Sequence, residues 1–373
     1  MKLEQYSILG LSDIHLGHAL NHTDNIICNL RKFFIKYRKD IIKTKLIIIS
    51  GDVFDKLLSS NGLEINLALE WLTELILFCK EQDIILRILE GTPGHDWKQV
   101  KLIFTILDKL DIDVDFRYVE EIEIEYIEKL MTTVLYVPDE AKPTTAEIYQ
   151  EVQFKLKELA IDKVDIAVMH GTFDYQLPIP LPNVHIPKDY LDIVRGPIII
   201  GHHHSRSNYK RIITPGSFDA MNHSDDNTKG GVYINYTIKD SKFRFRFLDN
   251  KEALKFKTID VRGKDLSYIY KQLERYNNHN DLNRFNLRLH ADINEPIRQN
   301  MLELTKNYTN LNITFKSSDK NDVTTAINIE VIPKRVSRLD YNTILKYIQE
   351  KNTELNDESL VHSIEKEFID NYS

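Results

Sequence analysis

Five short apolar runs in this chain each end in a carboxylate or an imidazole, and this pattern constrains the fold more than any other feature. The first run closes on Asp13-Ile14-His15-Leu16-Gly17, the second on Gly51-Asp52-Val53-Phe54-Asp55 and the third on Gly91-Thr92-Pro93-Gly94-His95-Asp96. Two later runs close on His170-Gly171 and on Gly201-His202-His203-His204. Each run is short and rich in Ile, Leu and Val, so each reads as a buried strand. Between them lie stretches with helical spacing: residues 23–40, then Leu63, Leu67, Trp71 and Leu75, then Val100, Ile103, Phe104, Leu107 and Leu110, and residues 144–159. Strand and helix in alternation predict a layered α/β domain. In such a domain the five strand ends converge on one sheet edge, where α/β folds place their ligands.

A turn after a strand often carries one Asp or His for local reasons. Asp-x-His, Gly-Asp, His-Asp, His and His-x-His in succession have no such local reason. Two divalent cations sharing a bridging carboxylate need this mixture of oxygen and nitrogen donors, and adjacent glycines let backbone approach closely.

In order and wording these motifs resemble the calcineurin-like metallophosphoesterase superfamily, and within it the SbcD-type nucleases of double-strand-break repair and their phage counterparts. The resemblance covers roughly the first 220 residues. It implies a metallophosphoesterase β-sandwich flanked by helices. It also implies that Asp13, His15, Asp52 and His204 surround one metal while Asp52, His170 and His202 surround the other, with Asp52 bridging. Asp55 would back the ligands from outside. His95, held by Asp96, would assist the leaving oxygen, and His203 would point away. The family's Gly-Asn-His-Asp is replaced here by Gly91-Thr92-Pro93-Gly94-His95-Asp96, which has no Asn. Either water or the Thr92 hydroxyl completes that coordination, or the second site is weak. Ser217, in Thr214-Pro215-Gly216-Ser217, reads either as a substrate contact or as part of a tight turn.

The rest of the chain extends this plan. Residues 232–236 and 243–247 predict a hairpin in which Lys242, Arg244 and Arg246 alternate with Phe243, Phe245 and Phe247, offering cations for phosphate or merely a solvated face. We divide the chain into a nuclease domain (1–250), a smaller α+β domain (251–337) and a helical tail (338–373). By resemblance the second caps DNA and the third docks an SbcC-type ATPase; a homodimer stays open. The formal charge, 49 basic against 56 acidic residues, is −7, so no global basic field recruits nucleic acid. Mixed ligation ranks manganese first among the cations, with magnesium and others open. Cys28 and Cys79 read as packed structural thiols, and His18, His22, His185 and His223 as surface loop residues. No apolar run spans a bilayer and the amino terminus lacks a secretory pattern, which predicts a cytoplasmic protein without membrane contact. The leading expectation is a two-metal phosphodiesterase acting on DNA as exonuclease or endonuclease, in repair or recombination. The alternatives are a small-molecule or protein phosphatase or cyclic phosphodiesterase, and a catalytically weakened binding subunit.

Overall fold

The computed structural model describes residues 4–110, 112–177, 183–226, 228–277, 285–291, 297, 300–308 and 311–316. β1 (Gln5–Leu11), β2 (Thr44–Ser50), β3 (Ile85–Leu89) and β4 (Phe116–Val119) are parallel neighbours in that order. A second sheet has the order β5 (Glu123–Ile127), β6 (Thr132–Val137), β7 (Ile166–His170), β8 (Ile198–Gly201), β10 (Ile212–Thr214), β9 (Ser207–Tyr209), its outer members β5 and β9 antiparallel. The hairpin of β11 (Gly230–Thr237) and β12 (Lys242–Asp249) then lies antiparallel along β1, completing six strands in each sheet.

Alternation along the strands explains the layers. Tyr6, Ile8, Leu46 and Ile48 pack with Val134, Tyr136, Ile166, Val168 and Ile199 in one buried cluster between the sheets. Leu9, Leu11, Ile47 and Ile49 point the other way, under α1 (Thr23–Lys36) and α3 (Leu63–Glu81). The helix expected over 23–40 breaks at Tyr37, where the short α2 (Arg38–Ile41) begins. One-turn α4 (Pro93–Asp96) carries His95, and α5 (Leu102–Lys109) adds Ile103 and Leu107 to the same outer layer. On the far side α6 (Thr145–Glu158) and α7 (Pro187–Ile193) cover the second sheet through Ile148, Val152, Leu156, Tyr190 and Ile193. α6 starts where its sequence dictates: the Thr144 side chain accepts the Glu147 backbone N–H at 3.2 Å. The result is a mixed α/β structure with two six-stranded mixed sheets flanked by helices.

Beyond Asn250, β13 (Lys255–Asp260), β14 (Phe285–His290) and β15 (Asn312–Lys316) form a parallel sheet. α8 (Leu266–Asn277) and α9 (Met301–Asn307) intervene, giving the strand-helix order read from the sequence. This part has its own core around Leu273, Leu287 and Leu289. The expected tail, 338–373, and the end of the expected α+β domain, 317–337, lie outside the described residues. Among the described residues no helix is long and apolar enough to cross a membrane. Two minor expectations are corrected. Cys79 is buried, but Cys28 faces outward from α1. His185 is buried against Phe173 and Tyr190, and burial pushes its imidazole down to about 4.

Candidate metal centre

The strand ends meet as the sequence predicts. β1, β2, β3, β7 and β8 deliver Asp13 and His15, Asp52, Thr92, His170, and His202 and His204 to one edge shared by both sheets. Four of these side chains leave backbone bent into positive φ: Asp13 at 51°, His15 at 57°, Asp52 at 52° and His202 at 91°. Non-glycine residues rarely adopt that conformation, so four at one edge mark a backbone held by its surroundings. Glycine makes the crowding feasible. A Cβ on Gly51 would lie 2.1 Å from His170 Nδ1, and one on Gly91 would lie 2.2 Å from Asp52 Oδ1.

Among the described residues three groups of side chains could hold a metal ion: Asp13, His15 and His204 form the first, Asp52, His170 and His202 the second, and His15, Asp55 and His95 a third that shares His15 with the first. His15 Nε2 and His204 Nε2 face each other at 3.0 Å, and His204 Nε2 lies 4.0 Å from Asp13 Oδ1. Asp52 Oδ2 stands between the first two, 3.9 Å from His15 Nε2 and 3.3 Å from His170 Nε2. His170 Nδ1–H donates to the Ser50 carbonyl at 2.6 Å, leaving Nε2 as the free donor atom. The Asp13 carboxylate accepts the His202 backbone N–H at 2.9 Å, tying the last motif to the first.

Burial opposes ionisation of Asp52, yet His170, His15 and the Thr92 backbone N–H hold its carboxyl well below the usual range. Burial likewise disfavours protonated His170 and His15, but Asp52 and Asp13 raise both, and Asp55 raises His15 further. Buried Asp13, Asp52, His15 and His170, with half-buried His204 and exposed His202, form a donor set suited to divalent cations of mixed oxygen and nitrogen preference. The residues present therefore fit divalent metal binding.

Supporting side chains stand behind the donors. Asp55 Oδ1 is 3.2 Å from His15 Nδ1, the outer carboxylate position expected for it. His95 Nδ1–H donates to the Asp55 carbonyl at 2.7 Å, so Nε2 is its free atom, and its ring packs edge-on to His15 at 5.2 Å. Asp96 does not hold His95. Its buried carboxylate accepts the backbone N–H groups of Asp52, Phe54 and Gly91 at 3.1, 2.8 and 2.8 Å, because it lies beneath the two loops and fastens one to the other. Burial and the Asp52 charge raise its carboxyl to about 6. His203 turns away, its Nδ1 bonded to the Ser205 segment.

Four expected substrate contacts lie elsewhere. Ser217 is fully buried, donates to the Asp219 carbonyl at 2.8 Å and accepts from Lys229 Nζ at 2.9 Å, which makes it part of the turn. Lys242, Arg244 and Arg246 fail for a topological reason. β12 runs antiparallel to β11, which runs antiparallel to β1, so Arg244 is opposite Asn235 and Asn235 opposite Ser7. From Ser7 to Asp13 the chain rises about 20 Å. Lys242 and Arg244 line a cleft of about 1090 Å³ at that opposite edge with Lys43, Lys45, Arg195 and Arg211. Arg246 pairs with Asp40 at 2.7 Å.

Sequence reasoning missed three members of the site. Asp139, in the turn after β6, lies 3.3 Å from Thr92 Oγ1 and 3.6 Å from His202 Nδ1. Asp225 lies 3.9 Å from His204 Nδ1, and buried Lys229 pairs with Asp225 at 3.4 Å and donates to the His204 carbonyl at 3.0 Å. None sits in a motif, so only the fold brings them in. No protein-family model matches the chain, and a comparison with curated proteins finds no match.

Proposed function

We propose that this protein is a two-cation phosphodiester hydrolase acting on DNA, with the catalytic edge at the ends of β1, β2, β3, β7 and β8. The observation that carries the reading is Asp52 Oδ2 standing between two donor groups, within 3.9 Å of His15 and 3.3 Å of His170. A lone structural ion needs no bridging carboxylate. A pair of cations, manganese first, would supply Lewis-acid polarisation of a phosphate and would lower the pKa of water toward neutrality. Asp13, His15, Asp52 and His204 would hold one cation, and Asp52, His170, His202 and Thr92 the other.

The chain's own groups do the remaining work. The Asp55 carbonyl fixes the Nδ1–H of His95, so Nε2 is the atom that delivers a proton to the leaving oxygen. Asp96 keeps the Asp52 and Gly91 loops in register, and Asp55 and Asp225 steady His15 and His204. The DNA substrate rests on the motif wording shared with SbcD-type nucleases, as does an ATPase partner docked by residues 338–373.

The test is incubation of the purified chain with end-labelled single-stranded and duplex DNA in manganese, beside His95→Ala and a chromogenic phosphodiester. DNA cleavage that the variant loses is the expected result. Ester cleavage with intact DNA would move the substrate to small phosphodiesters, and no hydrolysis of either would remove the enzymatic reading.

A further inference from the structure

Gly91-Thr92-Pro93 lacks the amide oxygen that the motif resemblance places in the second cation site, so that site needs another oxygen. We infer that Thr92 and Asp139 supply it as a pair: the Thr92 hydroxyl oxygen faces the cation while Asp139 accepts the hydroxyl proton. The inference rests on the two-cation reading above and names the ligand set of one of its sites.

Thr92 Oγ1 lies 3.4 Å from Asp52 Oδ2, 3.5 Å from His170 Nε2 and 3.3 Å from His202 Nδ1. Adjacent ligands of one first-row divalent cation sit about 3 Å apart, given metal–ligand bonds of about 2.1 Å. Thr92 is therefore at neighbouring-ligand spacing from all three other donors of this site. Its place is set by backbone as well, since its N–H donates to the second oxygen of the bridging carboxylate, Asp52 Oδ1, at 2.7 Å.

A hydroxyl has one proton and two lone pairs. For the oxygen to present a lone pair inward, the proton must go to an acceptor that is not itself a donor to the cation. Asp52 Oδ2, His170 Nε2 and His202 Nδ1 are all committed to the cation. Asp139 Oδ2, 3.3 Å from Thr92 Oγ1, is the acceptor that remains. Asp139 is pinned for this role: its Oδ1 accepts the Glu140 backbone N–H at 3.1 Å, and its side chain is only 16% exposed. A charged acceptor strengthens the hydrogen bond and increases electron density on the hydroxyl oxygen, bringing a weak neutral donor closer to an amide oxygen. The same carboxylate, 3.6 Å from His202 Nδ1, adds negative charge beside the cation.

The full chain is titrated with manganese alone by calorimetry, with bound metal counted after desalting, for the parent, for Thr92→Ser, Thr92→Val and Asp139→Ala, and for the double variant that combines Thr92→Val with Asp139→Ala. The parent and Thr92→Ser should bind two cations. Thr92→Val and Asp139→Ala should each keep the first and bind the second at least tenfold more weakly. The double variant should bind the second no more than about twofold more weakly than Thr92→Val alone, because the two residues act as one unit. Retention of the first cation certifies that each variant is folded. The inference is overturned if Thr92→Val titrates like the parent, or if Asp139→Ala weakens binding as much in the Thr92→Val background as in the parent. A parent that binds fewer than two cations would instead bring down the two-cation reading, and this inference with it.

Discussion

At the residue scale the proposed bridging ligand and the proposed proton donor differ in what they touch. His95 touches the cluster through its ring edge and the Asp55 carbonyl, whereas Asp52 lies between both donor groups. His95→Ala should therefore keep its bound manganese and lose turnover by roughly 10²–10⁴-fold. Asp52→Ala should lose metal and turnover together, which metal analysis beside a hydrolysis assay reads directly; equal metal loss in the two variants would refute the assignment of roles. Protonation gives a second expectation. Without cations, Asp52 and Asp13 raise the His170 imidazole, and Asp55, Asp52 and Asp13 raise that of His15, so cation binding should displace protons from them. Apparent manganese affinity should rise with pH through and above neutrality. Calorimetry in buffers of different ionisation enthalpy should show net proton release, and binding heats independent of buffer would contradict it.

Between elements, the two sheets are joined by apolar packing, by the donor cluster at the strand ends and by a half-buried ionic cluster around Arg87. Arg87 of β3 reaches across to Glu125 of β5 at 2.7 and 2.9 Å and to Asp115 at 2.8 Å, and the Tyr136 hydroxyl of β6 donates to the same Glu125 at 2.8 Å. Removing Arg87 leaves half-buried Glu125 with only Arg117, at 3.3 Å, as counter-charge. Arg87→Ala should cost about 3–5 kcal/mol in chemical denaturation, while a double change of Arg87 and Glu125 to apolar residues should restore much of the loss. This cluster shows why some elements were legible in the sequence and others were not. β2 and β8 are nearly continuous Ile and Leu runs, as parallel strands buried on both faces should be, and the hairpin of β11 and β12 announces itself by alternation. β4, with the sequence Phe-Arg-Tyr-Val, is a half-buried edge without periodicity, and β9 and β10 have three residues each. Such short strands, β4 and β9 at sheet edges and β10 between β8 and β9, are recruited by their neighbours, and their own residues carry too little pattern to reveal them.

Across the whole molecule, the candidate site was readable because its donors are attached to strand ends that themselves have a signature. Asp139, Asp225 and Lys229 were not, since each reaches the site from a loop whose path depends on both sheets. The hairpin cations were misplaced for the converse reason: alternation reveals a wet face but not which end of the sheet it occupies. The structure thus separates two edges, an acidic and imidazole-rich one at the strand ends and a basic cleft at the strand beginnings. The central claim concerns the first edge, and the spin state of bound manganese tests it most directly. Electron paramagnetic resonance of the loaded chain should show two manganese ions per molecule with an exchange-coupled signal, replaced in Asp52→Ala by an isolated-ion spectrum or by none. A parent spectrum of one uncoupled ion at saturating manganese would contradict the account.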